Sequence, residues 1–192
     1  YPIWTTISRY KAKTDDSYYW FDISPHQVRM TSPDDDIFSW QTELFGSVFR
    51  GGYLRKKRKE ISLVQLTAIC GAFFREMLSV SIPNPLYKIK GHPVANRKKA
   101  VLRDAGYANN LPLIPLLTPE RKLDLIIVFD AGKTPVEDLN LAINALSGRY
   151  PITPWSKKIE EETHKHPIVY LPASTNDGVN ILYISLAPDK KF

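Results

Sequence analysis

An α/β fold is the architecture this sequence predicts, and three observations predict it. The stretch Leu123-Asp124-Leu125-Ile126-Ile127-Val128-Phe129 is the long apolar strand of the chain. Its near-continuous apolar character is that of a parallel strand covered on both faces. It runs into Asp130-Ala131-Gly132, and a strong helix start follows: Thr134 as N-cap, Pro135 at the first helical position and Glu137 to complete a capping box. Strand, tight turn and helix in that order form half of a βαβ unit. Ile168–Leu171 and Ile181–Leu186 read as two further strands.

Before that unit the chain reads as follows. Ile3–Tyr10 and Tyr18–Ser24 are rich in β-branched and aromatic residues, and the polar Thr14-Asp15-Asp16-Ser17 between them reads as the turn of a hairpin. Pro25 ends the second strand. Thr31–Asp36 is a loop by composition; its three consecutive acids cannot all face one ion, so a solvated turn is expected rather than a metal site. Ile37–Tyr53 is aromatic and punctuated by glycine without a clean period, and irregular structure packed on the core is expected. Ser62 is a plausible N-cap for a helix through Leu78, apolar on most sides and therefore buried. Ser81–Lys99, with Pro83, Pro85, Gly91 and Pro93, is expected to be a mobile loop, and the short apolar Ala100-Val101-Leu102 leads from it into Asp104. Past the long strand, Val136, Leu139, Ile143 and Leu146 mark one helix face and Gly148 its stop. Pro151 and Pro154 break the chain again. No internal repeat or long linker is visible, so residues 1–192 are expected to form part of a single domain without an internal boundary.

Composition sets bounds on function. Apolar residues make up 43% and charged residues 24% of 192 residues, an ordinary globular balance that can bury a core. A net charge of +6 favours anionic partners. Its densest source is Arg55-Lys56-Lys57-Arg58-Lys59, a type of run that serves localisation, nucleic acid or anionic lipid, or simply solvates a loop. The single cysteine, Cys70, excludes an intrachain disulfide and fits a reducing compartment. No apolar run reaches the ~20 residues of a membrane span. The opening Tyr-Pro-Ile-Trp has no initiator Met and no signal-peptide pattern, so a fragment or processed product is expected.

Several common catalytic patterns are missing: a Gly-rich phosphate loop, a Gly-x-Ser-x-Gly nucleophile elbow, His-Glu-x-x-His and a zinc-type Cys pair. His164 and His166 form a His-x-His in a charged tract, and His26 and His92 sit beside prolines; none of these specifies a metal. The carboxylates remain. Asp130 ends the long strand, where open α/β sheets carry ligands and catalytic groups. Asp104 begins a second Asp-Ala-Gly, before a proline-rich loop. Either can serve as a general base, and either can equally cap its own turn. Position alone favours Asp130.

The order of motifs changes that preference. Asp104-Ala105-Gly106, Asn110-Leu111-Pro112, Pro119-Glu120-Arg121 and Leu123-Asp124-Leu125-Ile126 with Asp130 follow in that order. Upstream stand Tyr1-Pro2-Ile3-Trp4, Tyr19-Trp20-Phe21-Asp22-Ile23-Ser24-Pro25 and Leu44-Phe45-Gly46-Ser47-Val48-Phe49. In this order and across most of the chain, the sequence resembles the catalytic domain shared by cytosolic phospholipase A2 and the fungal phospholipase B (lysophospholipase) family. Lys122, where that family usually has Gly, and a short tract before Asp104 are the departures.

The resemblance implies a patatin-like three-layer α/β/α fold with a central mostly parallel sheet, of which this chain supplies the C-terminal half. It implies a serine lipid acyl hydrolase with a Ser-Asp dyad and no catalytic histidine, metal or cofactor. Asp104 is then the dyad base, Arg121 the contact to the substrate phosphate, and Asp130 a structural residue. A carboxylate within reach of a serine can take its proton as an acyl-enzyme forms, and a permanent forked cation suits a phosphodiester. Because the nucleophile elbow is missing here, the serine is expected on an N-terminal segment or a second chain, and this chain alone is expected to be inactive. The implied partners are a phospholipid or lysophospholipid substrate and a membrane surface met peripherally from the cytoplasm, with no nucleic acid. The alternative is an inert structural or binding subunit that docks on anionic membrane or RNA.

Overall fold

The computed structural model of the chain describes residues 2–11, 16–32, 36–71, 80–117, 121–132, 134–146, 150–175 and 178–186. It divides into two compact units, Tyr1–Ala108 and Asn109–Phe192. Each has its own sheet.

The first unit contains β1 (Trp4–Lys11), β2 (Asp16–Ile23), β3 (Gln27–Thr31), β4 (Ile37–Gln41), β5 (Val48–Arg50), β6 (Tyr53–Lys56), α1 (Leu63–Cys70), β7 (Val80–Pro83) and β8 (Lys99–Asp104). Six of the strands form one sheet in the order β4-β3-β2-β1-β8-β7, every pairing antiparallel. The expected hairpin is β1–β2, paired from Trp4↔Ile23 to Lys11↔Asp16. Asp16 and Ser17 thus belong to the strand, and the rest of the expected turn falls outside the described residues, as do 33–35 of the acidic tract. Ser24 closes the next turn: its Oγ accepts the Gln27 N–H at 3.0 Å, and β2 ends before Pro25 as expected.

Alternation puts Tyr19, Phe21 and Ile23 of β2 on one face with Val28 and Met30 of β3, Ile82 of β7 and Leu102 of β8. Leu66 and Ile69 of α1 complete that core. Ser62 caps α1 with a full capping box, reciprocated by Gln65; the helix expected beyond Gly71 lies outside the described residues. The Ile37–Tyr53 segment, expected to be irregular, instead holds β4, a 3-10 turn at Thr42–Leu44 and β5. Its strands have three to five residues each, too short for a period to register.

The Ser81–Lys99 stretch is also more ordered than its prolines suggest. Its start is β7, and the turns that follow are built on Asn84, which is 3% exposed. Asn84 Nδ2 donates to the carbonyls of Val94 and Arg97 at 2.9 and 2.8 Å, and its Oδ1 accepts the Leu86 N–H at 3.0 Å. The prolines stiffen this loop while one buried amide organises it.

The second unit contains β9 (Leu125–Asp130), α2 (Pro135–Leu146), α3 (Lys157–Lys165), β10 (Ile168–Leu171) and β11 (Asn180–Ser185). β11 is central, parallel to β9 and antiparallel to β10. The expected strand, helix and two later strands are all present, with Pro135 opening α2; Gly148 lies outside the described residues. Leu139, Ala142, Ile143 and Leu146 of α2 are at most 1% exposed, and each buried Leu or Ile contributes about 1.5–3 kcal/mol.

Two expectations are corrected here. The sheets are mostly antiparallel rather than mostly parallel, β9–β11 being the one parallel pair among the described strands. β9 is also not covered on both faces: Ile126, Val128 and Asp130 point inward, while Leu125, Ile127 and Phe129 are 47%, 51% and 64% exposed. Ile168 and Tyr170 of β10 are exposed as well. The period-2 alternation was hidden because both faces of β9 are apolar.

Candidate active site

Asp104 closes β8, opposite Thr6 of β1. Thr6 is fully buried, and its hydroxyl donates to the Arg103 carbonyl, so the ladder is locked beside the aspartate. The chain leaves the strand in a 3-10 turn, Ala105–Tyr107. Asp104 Oδ1 accepts the Gly106 N–H at 2.7 Å, the local turn that Asp and Asn form readily. The Arg103 guanidinium sits 5.6 Å from the Tyr107 ring centre. A half-buried carboxylate is therefore fixed at the end of an interior strand.

Two groups of the same unit that resemble nucleophiles are not available as such. Burial first, and the negative charge of Asp104 second, push the Cys70 thiol up to about 12, so it stays protonated and unreactive at neutral pH. Ser47, which follows Gly46, is 1% exposed and accepts the Arg58 N–H at 3.0 Å.

Arg121 lies in the second unit. Its Nε donates to the Pro115 carbonyl at 2.9 Å, which fixes the root of the guanidinium against the 3-10 turn Ile114–Leu116. The next residue, Lys122, has φ +47°. This left-handed conformation suits glycine and costs other residues about 1–2 kcal/mol. It gives the physical reason a glycine is at home beside this arginine.

Asp130 is held quite differently from Asp104. It is 3% exposed, its Oδ1 accepts the Gly132 N–H at 2.7 Å, and its Oδ2 accepts the Tyr183 hydroxyl at 2.7 Å. Burial and then Asp130 itself push the Tyr183 phenol upward, so the tyrosine remains a donor. Both oxygens of Asp130 thus serve its own turn and the neighbouring strand β11.

No sequence signal marked Asp138, in the first turns of α2. It is 5% exposed, and its Oδ1 accepts from Asn110 Nδ2 at 2.8 Å, tying the helix to the Asn-Leu-Pro loop. Gly132 is needed beside it: a Cβ there would stand 2.5 Å from Asp138 Oδ2 and 2.8 Å from Asp130 Oδ1. Burial is the main cause that raises the Asp138 carboxyl above its usual range; Asp130 and Glu137 add to it, while hydrogen bonds from Asn110 and Thr134 oppose it.

A raised acid makes the folded state hold a proton that the unfolded chain has lost, so its cost is nil below the unfolded pKa and complete above the folded one. Asp138→Asn keeps the acceptor for Asn110 and removes that cost, less the small favourable interaction of a charge with the start of α2. The stability of the variant relative to wild type is therefore expected to rise with pH from the acid side of the ordinary carboxylate range and then level off. Urea unfolding midpoints measured from acid to neutral pH check this; a difference that does not change with pH contradicts it.

His164 and His166 lie at the end of α3 and just past it, where His166 Nε2 is 3.8 Å from Glu162 Oε2. Among the described residues no group of three His, Cys, Asp or Glu side chains could hold a metal ion. Among them also, no helix is long and apolar enough to cross a membrane.

No protein-family model matches the chain. Phospholipase B of Cryptococcus neoformans var. neoformans serotype D is 31% identical over 103 residues, which cover 50% of this chain and 16% of that protein. Phospholipase B of Cryptococcus neoformans var. grubii serotype A matches to the same extent. The chain thus spans about one sixth of the length of these relatives. Human GIVD cytosolic phospholipase A2 superposes with a TM-score of 0.70 at 17% identity, over 97% of this chain and 35% of that one. That match fixes the α/β fold over nearly the whole chain, and the phospholipase B matches add the sequence relationship over half of it. Over half of its length the chain is thus similar in sequence to fungal phospholipase B, and over nearly all of it its fold is that of part of the human cytosolic phospholipase A2.

Proposed function

We propose that this chain is part of the catalytic domain of a serine lipid acyl hydrolase acting on phospholipid or lysophospholipid, and that Asp104 is its catalytic base. The observation that carries the assignment is the contrast between the two Asp-Ala-Gly turns. Asp130 is 3% exposed, sealed inside its unit, whereas Asp104 is half-buried at a strand end and held in place by the Gly106 N–H.

In the proposed reaction, a serine carried by an N-terminal segment or second chain loses its proton to Asp104 as its oxygen attacks the acyl ester carbonyl. The lysolipid or glycerophosphate alcohol leaves with that proton, and water then releases the fatty acid with Asp104 again as base. The Gly106 N–H holds the carboxylate in place through both steps. The open apolar face of β9 and β10 supports the view that further polypeptide packs here, as in a three-layer patatin-like arrangement. A cytoplasmic, peripherally membrane-associated enzyme without a cofactor fits this reading.

The test is fatty-acid release from phosphatidylcholine and lysophosphatidylcholine by this chain alone and by the complete protein with its serine-bearing part. The expected result is release only by the latter. Release by the chain alone, or none from the complete protein, overturns the reading; the second result would favour an inert binding subunit.

Arg121 is the proposed phosphate contact. Arg121→Ala is expected to lower kcat/KM on phospholipid by about ten- to a hundredfold, as for a lost hydrogen bond to a charged group. A neutral acyl ester of equal chain length should be much less affected. Equal losses on both substrates would remove the phosphate role.

A further inference from the structure

We propose that residues Tyr53–Val64 form a preformed docking surface for anionic phospholipid membrane. All four residues of β6 are exposed, and so are all five cations of Arg55–Lys59. The only acid in the segment is Glu60. Nearby, Glu43 pairs with one of the cations, Lys57, at 3.3 Å. At either end of this basic strap, large apolar side chains face solvent: Tyr53 is 71% exposed and Leu54 43%, Leu63 60% and Val64 79%.

The fold does not require that exposure. α1 is anchored through Leu66 and Ile69, and Leu63 and Val64 add nothing to its core face. An apolar pair at the start of a capped helix, next to five cations, stays exposed among the described residues.

The strap is also pinned rather than loose. Gly51 and Gly52, at φ +60° and +83°, make the tight turn between β5 and β6, and the Gly51 N–H donates to the Tyr87 carbonyl at 2.8 Å. At its middle, the Arg58 N–H donates to Ser47 Oγ at 3.0 Å, and Ile61 lies over Gly46. The surface is held ready, so little ordering entropy opposes binding.

The chemistry selects the partner. Cations alone suit any polyanion, but exposed Leu and Val gain nothing from a phosphate backbone in water. They gain from the acyl boundary of a bilayer, where apolar side chains bury ~5–10 Å deep while adjacent Lys and Arg meet anionic head groups. RNA recognition would instead want aromatic stacking platforms among the cations, and Tyr53, with Arg55 5.9 Å from its ring centre, is the one aromatic here.

Docking of this kind deepens the lipid-hydrolase reading by naming the face that meets the substrate. The test therefore uses ether-linked vesicles, which cannot be hydrolysed, so that docking and hydrolysis fail independently. Sedimentation is measured on ether-linked phosphatidylcholine alone and mixed with ether-linked phosphatidylserine. The charge variant carries Arg55→Gln, Lys56→Gln, Lys57→Gln, Arg58→Gln and Lys59→Gln; the apolar variant carries Tyr53→Ser, Leu63→Ser and Val64→Ser. All these positions are exposed, and unchanged circular dichroism establishes folding.

At about fivefold per cation near an anionic surface, the charge variant should lose at least ~100-fold in affinity for the phosphatidylserine vesicles. The apolar variant should lose at least ~10-fold. Wild-type affinity in either variant overturns the proposal. So does a wild-type preference for homopolymeric RNA over anionic vesicles that the apolar variant retains.

Discussion

Asp104→Asn in the complete protein is expected to lower fatty-acid release by about a thousandfold or more while leaving the fold intact. Asparagine has the shape of aspartate, and its Oδ1 can still accept the Gly106 N–H that aspartate accepts at 2.7 Å. The turn Ala105–Tyr107 and the pairing of β8 with β1 therefore have no reason to change. What is lost is proton affinity: an amide cannot take the serine proton, and positioned general bases contribute about 10²–10⁴ in rate. A loss confined to kcat, with KM little changed, marks a group used in the transition state.

Asp130→Asn is the paired control. There one side chain must accept both the Gly132 N–H and the buried Tyr183 hydroxyl. The amide offers one acceptor and sets an N–H against the second donor. Stability should fall by about 1–3 kcal/mol, with the rate per folded molecule largely kept. A wild-type rate in Asp104→Asn, or the reverse pattern across the pair, would return the catalytic role to Asp130.

Asn84→Ala is expected to be the most damaging conservative truncation in the first unit, at roughly 3 kcal/mol. Asn84 is 3% exposed and makes three hydrogen bonds, two from Nδ2 to the Val94 and Arg97 carbonyls and one to Oδ1 from the Leu86 N–H. Alanine leaves those backbone groups without their partner in a loop whose Leu86 and Val94 belong to the core. Each stranded buried group costs about 1–3 kcal/mol, reduced by whatever water or relaxation can reach it. Asn84→Asp should be no better, since it removes both donors and buries a charge. Urea unfolding is the measurement, with the midpoint expected to fall at nearly constant slope. A change below about 1 kcal/mol would mean the loop is held by its prolines instead. Because this loop joins β7 to β8, which carries Asp104, lost activity should track lost fold.

Much of this was legible in the sequence, for identifiable reasons. The β1–β2 hairpin, β9 and α2 announce themselves through β-branched runs and a capped helix start, which are local signals. Ser62 announced α1 in the same way. α3 did not: only Ile159 and Thr163 are buried in its nine residues, so a lysine- and glutamate-rich segment between prolines carried no apolar period. β3 and β4 were missed because five residues in register with a neighbour are stabilised by that neighbour, not by their own composition. The open side of β9 was missed because its outward residues are as apolar as its inward ones.

The site divides along the same line. Sequence alone determined the order of motifs around Asp104 and Arg121, the basic run at Arg55–Lys59 and the break in pattern at Lys122, because each depends on residue type and spacing. Tertiary structure set the two carboxylates in different surroundings. Asp130 and Asp104 head the same tripeptide, but only Asp130 meets a tyrosine 53 positions away and is sealed with it. It also brought Asn110 to Asp138, 28 positions apart, and set Lys122 in a conformation suited to glycine. Burial and long-range hydrogen bonds are properties of chain segments brought together, and no window of sequence contains them.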